Sequence, residues 1–417
     1  MLLCSIIGAM ETMPSLDAAA PALGVSRRHR ALILAALTLG GFAIGTSEFS
    51  SMGLMPEMVK TFGVTEPQVG HIISAYALGV VVGAPLLAIL GGRLPRRALL
   101  LALMGFYALG NLASALAPTY GGMMLARFVA GLPHGAYFGV AALTAVAISR
   151  PEERGKAVSL TMFGLTLAIL GGNPLSTWMG QTIGWRWAFV LVSAVALATL
   201  VLIAAFMPRD RVEAPKRALD ELRAFNRLPV WQALGIGAIG FAGLFCVFSY
   251  VAPTMLQVTQ VSAGWIPLGL AGFGLGGVIG NLAGGWLFDR LRFRAVPVIL
   301  LGAALMLLLY PLAAGSLGTL LLATIAIGAM GALGPVLQTH LMDVAGDAQT
   351  LAAASHHAAF NAANALGPWL GGLAISAGLG WTSTGYVGAA TALLGTAIYA
   401  WAAATLRRPP REACVAT

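Results

Sequence analysis

From Ala31 to Leu406 the sequence is a succession of apolar stretches, each about 20 residues or longer, with the charged residues gathered in the breaks between them. A helix of about 20 apolar residues crosses the roughly 30 Å hydrocarbon core of a bilayer. Only 9% of the 417 residues are charged and the mean hydropathy is +0.85. A water-soluble domain carries about 25% charged residues, so this chain has too little polar surface to be one. A soluble enzyme, a nucleic-acid binder and a disordered scaffold are thereby excluded, which leaves a polytopic membrane protein.

Hydrophobic runs separated by charged or Gly/Pro-rich breaks predict twelve helices, near 31–57, 68–91, 98–118, 121–149, 157–181, 186–206, 230–256, 264–288, 295–314, 317–341, 351–378 and 384–405. Basic residues are retained on the cytoplasmic side of a membrane. With the N-terminus inside, the inward segments collect Arg27, Arg28 and Arg30, then Arg93, Arg96 and Arg97, then Arg150, Arg154 and Lys156. The central loop, Arg290, Arg292 and Arg294, and the tail follow, to a total of 21 of the 24 basic residues. Lys60 and Arg186 fall outside, and Arg127 falls within a span. The expected organisation is a disordered cytoplasmic extension (1–30), a six-helix half (31–206), a cytoplasmic loop (207–228), a second six-helix half (229–406) and a cytoplasmic tail (407–417). The net charge of +9 then reflects topology and contact with anionic membrane lipid, with no nucleic-acid partner. Cys4, Cys246 and Cys414 have neither disulfide nor metal-ligand spacing.

The halves repeat. Gly79, Gly83, Leu90, Arg93, Leu94 and Arg97 recur as Gly276, Gly280, Leu287, Arg290, Leu291 and Arg294, at a constant offset of 197. Parallel repeats about an axis normal to the membrane can rock around a central site, as alternating access requires.

One acidic side chain, Glu48, sits well inside a span. A charge there costs about 2.5–3.5 kcal/mol and persists mainly where it faces a cavity or a partner. Loss of water favours the neutral form of a carboxyl, so one whose hydration changes with conformation can carry a proton; the alternative is a structural hydrogen bond to a neighbouring helix. Arg127 lies about 9 Å below the outer end of its helix and Glu48 about 13 Å below its own. Arg127 is therefore expected to pair with Glu48, to meet a polar or anionic substrate, or to snorkel to the headgroups. His134 is either a proton relay or an inter-helix hydrogen bond. Asn361 and Asn364, three apart on one face, either orient a polar ligand or bind helices together. Phe241, Phe245 and Phe248 form a stripe that is either lipid-facing filler or a cavity wall. Gly171, Gly172 and Pro174 predict a bend or gate in the fifth span. No phosphate-binding loop, metal cluster or Ser/His/Asp set accompanies the spans, so no cofactor and no enzyme activity are expected; the energy source is then an ion gradient or the substrate's own.

The chain resembles the major facilitator superfamily, and within it the bacterial twelve-helix drug and sugar efflux permeases. The motifs that carry the likeness are Gly45-Thr46-Ser47-Glu48-Phe49, Ser74-Ala75-Tyr76-Ala77-Leu78-Gly79, Arg127-Phe128, Gly131-Leu132-Pro133-His134-Gly135, Val344-Ala345-Gly346-Asp347 and Asn361 with Asn364-Ala365-Leu366-Gly367. The resemblance implies an all-α membrane protein of twelve transmembrane helices in two six-helix parallel repeats, both termini cytoplasmic, in the bacterial inner membrane. It implies efflux of a small molecule such as a drug or sugar coupled to protons, or in the alternative a proton-coupled importer or facilitator of a sugar or other metabolite; because one two-half chain encloses a complete pathway, a functional monomer is expected. It gives Arg127 a part in proton coupling, places Tyr76 at the substrate cavity and makes the fifth-span Gly/Pro motif a gate. A cytoplasmic latch is implied for Arg93, Arg97, Asp289, Arg290 and Arg294, although Gly92 stands where the first copy of that motif usually has an Asp.

Overall fold

The computed structural model describes residues 26–91, 94–150, 154–209, 227–345 and 349–406. Within them the chain is helical, with no strand, and nine helical segments are long and apolar enough to cross a membrane. The first half contains α1 (Arg27–Gly53), α2 (Met55–Phe62), α3 (Glu66–Gly91), α4 (Arg96–Leu116), α5 (Tyr120–Ala147), α6 (Arg154–Leu167), α7 (Asn173–Met179) and α8 (Arg186–Phe206). The second contains α9 (Leu228–Gly235), α10 (Ala242–Gln257), α11 (Ile266–Leu291), α12 (Ala295–Ala313), α13 (Leu317–Gly328), α14 (Leu333–Ala345), α15 (Gln349–Ser376) and α16 (Ser383–Leu406).

Several expected single helices are interrupted, for local reasons. The stretch 31–57 divides at Leu54, because Pro56 lacks the amide that would continue the ladder into α2. The bend expected in the fifth span is a π turn, Ala168–Gly172, placed just ahead of Pro174, whose missing amide leaves the Leu170 carbonyl without its partner. A second π turn, Ile236–Gly240, joins α9 to α10 inside the run expected to be continuous.

The sequence repeat is a repeat of helix crossings. A Cβ on Gly79 or Gly83 of α3 would stand 2.1 Å from the carbonyls of Phe128 or Leu132 on α5. Gly276 and Gly280 of α11 would meet Ile325 O at 2.1 Å and Ala329 O at 2.4 Å, the partners again displaced by 197. Only glycine lets the backbones approach so closely. The helix caps repeat too: Thr119 accepts from Gly122 N, and Ser316 accepts from Thr319 N.

Large apolar side chains cover the outside, among them Leu116, Leu282, Leu312 and Trp401. A water-facing surface of that kind would be an aggregation liability; against lipid it is the expected one. The helix ends bearing Arg27, Arg96 and Arg97 lie together at one end of the bundle, joined by contacts such as His29 on Phe206 and Arg97 Nη2 donating to Ala204 O. At the opposite end Met52, Met55 and Ile72 share one continuous core with Phe248, Met255 and Leu270, so the two halves are fused there. Toward the basic end the first half keeps a separate core, and a cavity of about 760 Å³ opens beside Arg27, Leu34, Phe42 and Phe163.

Candidate functional site

Glu48 lies near the end of α1, where the halves meet, and is 4% exposed. Its Oε1 accepts a hydrogen bond of 2.9 Å from Asn364 Nδ2 on α15. This contact joins the one acid that is buried among the described residues of the first half to a neutral amide of the second. Arg127, fully buried on α5, is directed at the neighbouring residue: Nη1 donates to Ser47 Oγ at 2.7 Å and Nη2 to the Ser47 carbonyl at 2.8 Å. Its guanidinium also lies 4.2 Å above the Tyr76 ring and 5.2 Å from the Phe189 ring. Of the roles open to Arg127, snorkelling is not adopted. No direct Glu48–Arg127 ion pair forms among the described residues; the arginine fixes the backbone that carries the acid.

The support continues outward. Ser47 Oγ donates to Asn111 Oδ1, and Asn111 Nδ2 donates to Tyr107 O at 2.9 Å. The Tyr76 hydroxyl lies 3.1 Å from the Tyr107 hydroxyl and 3.1 Å from His134 Nδ1. His134 thus joins helices α5, α3 and α4 through hydrogen bonds, and Tyr76 buttresses Arg127 rather than standing open as a cavity wall. Reading the sequence missed Ser47, Tyr107 and Asn111 as supports. A usable signal was present, since Tyr107 and Asn111 are four apart on one face of an otherwise apolar helix.

From the second half, Phe241, Phe245 and Phe248 are all buried, which removes the lipid-facing alternative. Phe49 of α1 packs 6.5 Å from Phe245 and 5.7 Å from Phe248, centroid to centroid, so the stripe walls the interface. Asn361 and Asn364 diverge: Asn364 reaches Glu48, whereas Asn361 Nδ2 turns back to His357 O at 3.1 Å. Thr46 Oγ1, Ser249 Oγ, both amide atoms of Asn173 and the Oδ1 atoms of Asn361 and Asn364 are buried with no hydrogen-bond partner among the described residues. Gly172 lets α1 pass, since a Cβ there would stand 2.1 Å from Thr46 Oγ1; Gly171 faces open space.

Among the described residues, no contact joins Arg97 to Asp289, Arg290 or Arg294. Arg93 lies outside the described residues. Arg97 is held within its own half by Ala204 O, at 2.6 Å. Arg290 lies 4.1 Å from the Trp286 ring, while Asp289 and Arg294 are exposed and make no hydrogen bond or ion pair among the described residues.

A family model described as Major Facilitator Superfamily matches residues 37–308 and 233–416. The chain is 36% identical over 384 residues to the inner membrane transport protein YdhP of Escherichia coli K12, covering 92% of this chain and 98% of that one. It is 32% identical over 336 residues to a chloramphenicol resistance protein of Streptomyces lividans, covering 78% and 84%. Among solved structures, a bacterial homologue of the human lysosomal transporter Spinster, inward-facing and occupied, superposes with a TM-score of 0.71 at 18% identity, over 91% of this chain and 98% of that one.

Proposed function

The chain belongs to the major facilitator superfamily, and from that membership we propose that it is a proton-coupled antiporter that expels small organic molecules. It is a secondary transporter and not an enzyme, a multi-pass protein of the inner membrane with a small-molecule substrate. In the proposed topology twelve helices span the bilayer and both termini are cytoplasmic, because the arginine-bearing helix ends share one end of the bundle. The cavity beside Arg27 then opens to the cytoplasm.

The observation that carries the coupling is the Glu48–Asn364 hydrogen bond, a buried carboxyl held by the half that must move. In the outward-open state Glu48 takes a proton and substrate leaves; the halves rock, and the proton departs inward as new substrate binds. Arg127 and Ser47 keep the carboxyl at a fixed depth while this happens. The unpartnered Thr46, Asn173 and Ser249 atoms provide hydrogen-bonding capacity for substrate, and the phenylalanine stripe provides an apolar wall. Outward direction is supported by the names of relatives, a chloramphenicol resistance protein and a probable sugar efflux transporter.

The test begins with growth inhibition of cells expressing the protein by a panel of antibiotics, dyes and sugars. Flux of the responding compound is then measured in proteoliposomes under an imposed pH gradient. Wild type moves it against its gradient, and Glu48→Gln only equilibrates it. Undiminished uphill flux in Glu48→Gln would remove the acid from the mechanism.

A further inference from the structure

Building on the alternating access of the reading above, we propose that Ser74 is a positioning residue of the coupling site, and that the face of α3 formed by Pro67, Gly70 and Ser74 is the outer closure of the transport path. Three contacts run along the crossing of α3, from the first half, with α15, from the second. A Cβ on Gly372 would stand 3.3 Å from Pro67 Cβ, and one on Gly70 would stand 3.5 Å from Pro368 O. Ser74 Oγ donates to Ala365 O at 2.8 Å. Each step of three or four residues along α3 is answered by a step of three or four backwards along α15, so the helices close antiparallel, one turn at a time. The seam starts at the first turn of α3, at the outer end, and finishes beside Asn364, the residue that holds Glu48.

The turn of α15 that finishes the seam needs outside support, because Pro368 has no amide to give to Asn364 O. Two hydroxyls tie that turn from either side. The Tyr250 hydroxyl of α10 donates to Pro368 O at 2.7 Å, and Ser74 of α3 holds Ala365 O, next to Asn364. Tyr250 belongs to the same half as α15, so its bond survives when the halves part. The Ser74 bond crosses between the halves and breaks. Ser74 therefore presents the Asn364 amide to Glu48 only while the outer end is shut. The grip on the acid and the closure of the seam are made and lost together.

Glycine is what lets the seam shut. Tyr250 is fully buried, and its hydroxyl fills the notch between Gly70 and Gly372. A Cβ at Gly372 would come within 2.7 Å of that hydroxyl, and one at Gly70 would run into it. A side chain at position 70 then wedges α3 off α15 unless the hydroxyl is removed. At the outer end the halves are also joined by Gln181 Nε2, which donates to Ala263 O at 2.8 Å, a bond that touches neither Asn364 nor its turn.

The test is electron double resonance on the full-length protein in lipid nanodiscs, with Cys4 and Cys414 changed to serine. Spin labels go on Leu116→Cys and Leu379→Cys, exposed positions near the outer end of the two halves. Ser74→Ala raises the ratio of longer to shorter separations by about 2-fold to 10-fold through its own neutral bond. It adds at least about twofold more through Asn364, a factor that disappears in the Asn364→Leu background. Gln181→Ala, a cross-half bond without that tie, raises the ratio by the same factor in both backgrounds. Gly70→Ala also raises the ratio, and adding Tyr250→Phe brings it back toward wild type. A Ser74→Ala factor equal in the two backgrounds overturns the proposal, as does a Gly70→Ala distribution like that of wild type or a wedge that Tyr250→Phe does not relieve. If Gly70→Ala does not fold, the Ser74 and Gln181 variants decide alone. None of these measurements needs substrate or a proton gradient. Undiminished uphill flux in Glu48→Gln beside the expected separations would sink the coupling reading and leave this one standing, and the converse pair of results would sink the seam alone.

Discussion

Replacing Asn364 by leucine removes the side-chain bond between Glu48 and the opposite half while keeping the branched shape of the side chain. A hydrogen bond to a charged group is worth about 1.5–3 kcal/mol and one between neutral groups about 0.5–1.5 kcal/mol. If the bond belongs to the conformation seen here, its loss shifts the balance between this and the alternate conformation by about 10-fold to 150-fold when Glu48 is ionised. With Glu48 protonated the shift is about 2-fold to 10-fold. The sign is fixed by the donor: an amide N–H stabilises the carboxylate more than the acid, so the shift grows as pH rises through the ionisation of Glu48. Spin labels on Leu94→Cys and Leu291→Cys, exposed positions near the basic end of the two halves, report the separation by electron double resonance. Cys4 and Cys414 would be changed to serine, and the buried Cys246 kept. In Asn364→Leu the distribution moves toward shorter separations, more so at high pH, and the pH effect vanishes in Asn364→Leu/Glu48→Gln. An unchanged distribution at every pH would refute the reasoning, since the bond would then be common to all conformations.

Three further outcomes follow from the same geometry. Arg127→Lys keeps the charge but loses the planar fork whose two nitrogens reach Ser47 Oγ and Ser47 O separately, so transport per folded protein falls by at least about tenfold, measured as flux in proteoliposomes. Gly83→Val forces α3 away from Leu132 O and lowers stability by about 1–3 kcal/mol, whereas Gly139→Ala, facing open space, gains up to about 1 kcal/mol; thermal unfolding in one detergent ranks the two. Phe248→Ala, whose ring sits 4.6 Å from Phe273 and 5.7 Å from Phe49, costs about 3–5 kcal/mol in the same assay, against little for Leu312→Ala on the exposed face.

Helix positions were legible in the sequence because lipid imposes a length and excludes charge, so the breaks are marked by arginines and prolines. Pro174 announced where the ladder would fail, whereas Pro56 divides a stretch expected to be one helix. Partnerships were less legible. An apolar helix of this kind has no polar face to betray its orientation, so whether the Phe241–Phe248 stripe met lipid or the other half could not be read from spacing. The same holds for Arg127: its depth was close to that of Glu48, but depth does not reveal azimuth, and the guanidinium turned to the adjacent serine.

The internal repeat offers a way past that limit. At the offset of 197, the glycines of one crossing match between halves, Gly79, Gly83 and Gly131 against Gly276, Gly280 and Gly328, because backbone approach leaves no choice there. Positions with a chemical task are free to diverge. Ser47, Glu48, Tyr76, Tyr107, Asn111 and Arg127 stand opposite Leu244, Phe245, Phe273, Ala304, Leu308 and Thr324. Five of these six counterparts are apolar, and Phe245 and Phe273 lie in the aromatic wall that the acid's own neighbour, Phe49, packs against. The second half therefore answers the charged network with Asn364, which replaces Leu167 in the same comparison, and with aromatic surface. A two-fold site with an acid on each side would pay the burial penalty twice and repel itself when both ionise. Confining the ionisable groups to one half, and giving the other a neutral donor, lets a single proton decide how tightly the halves hold each other.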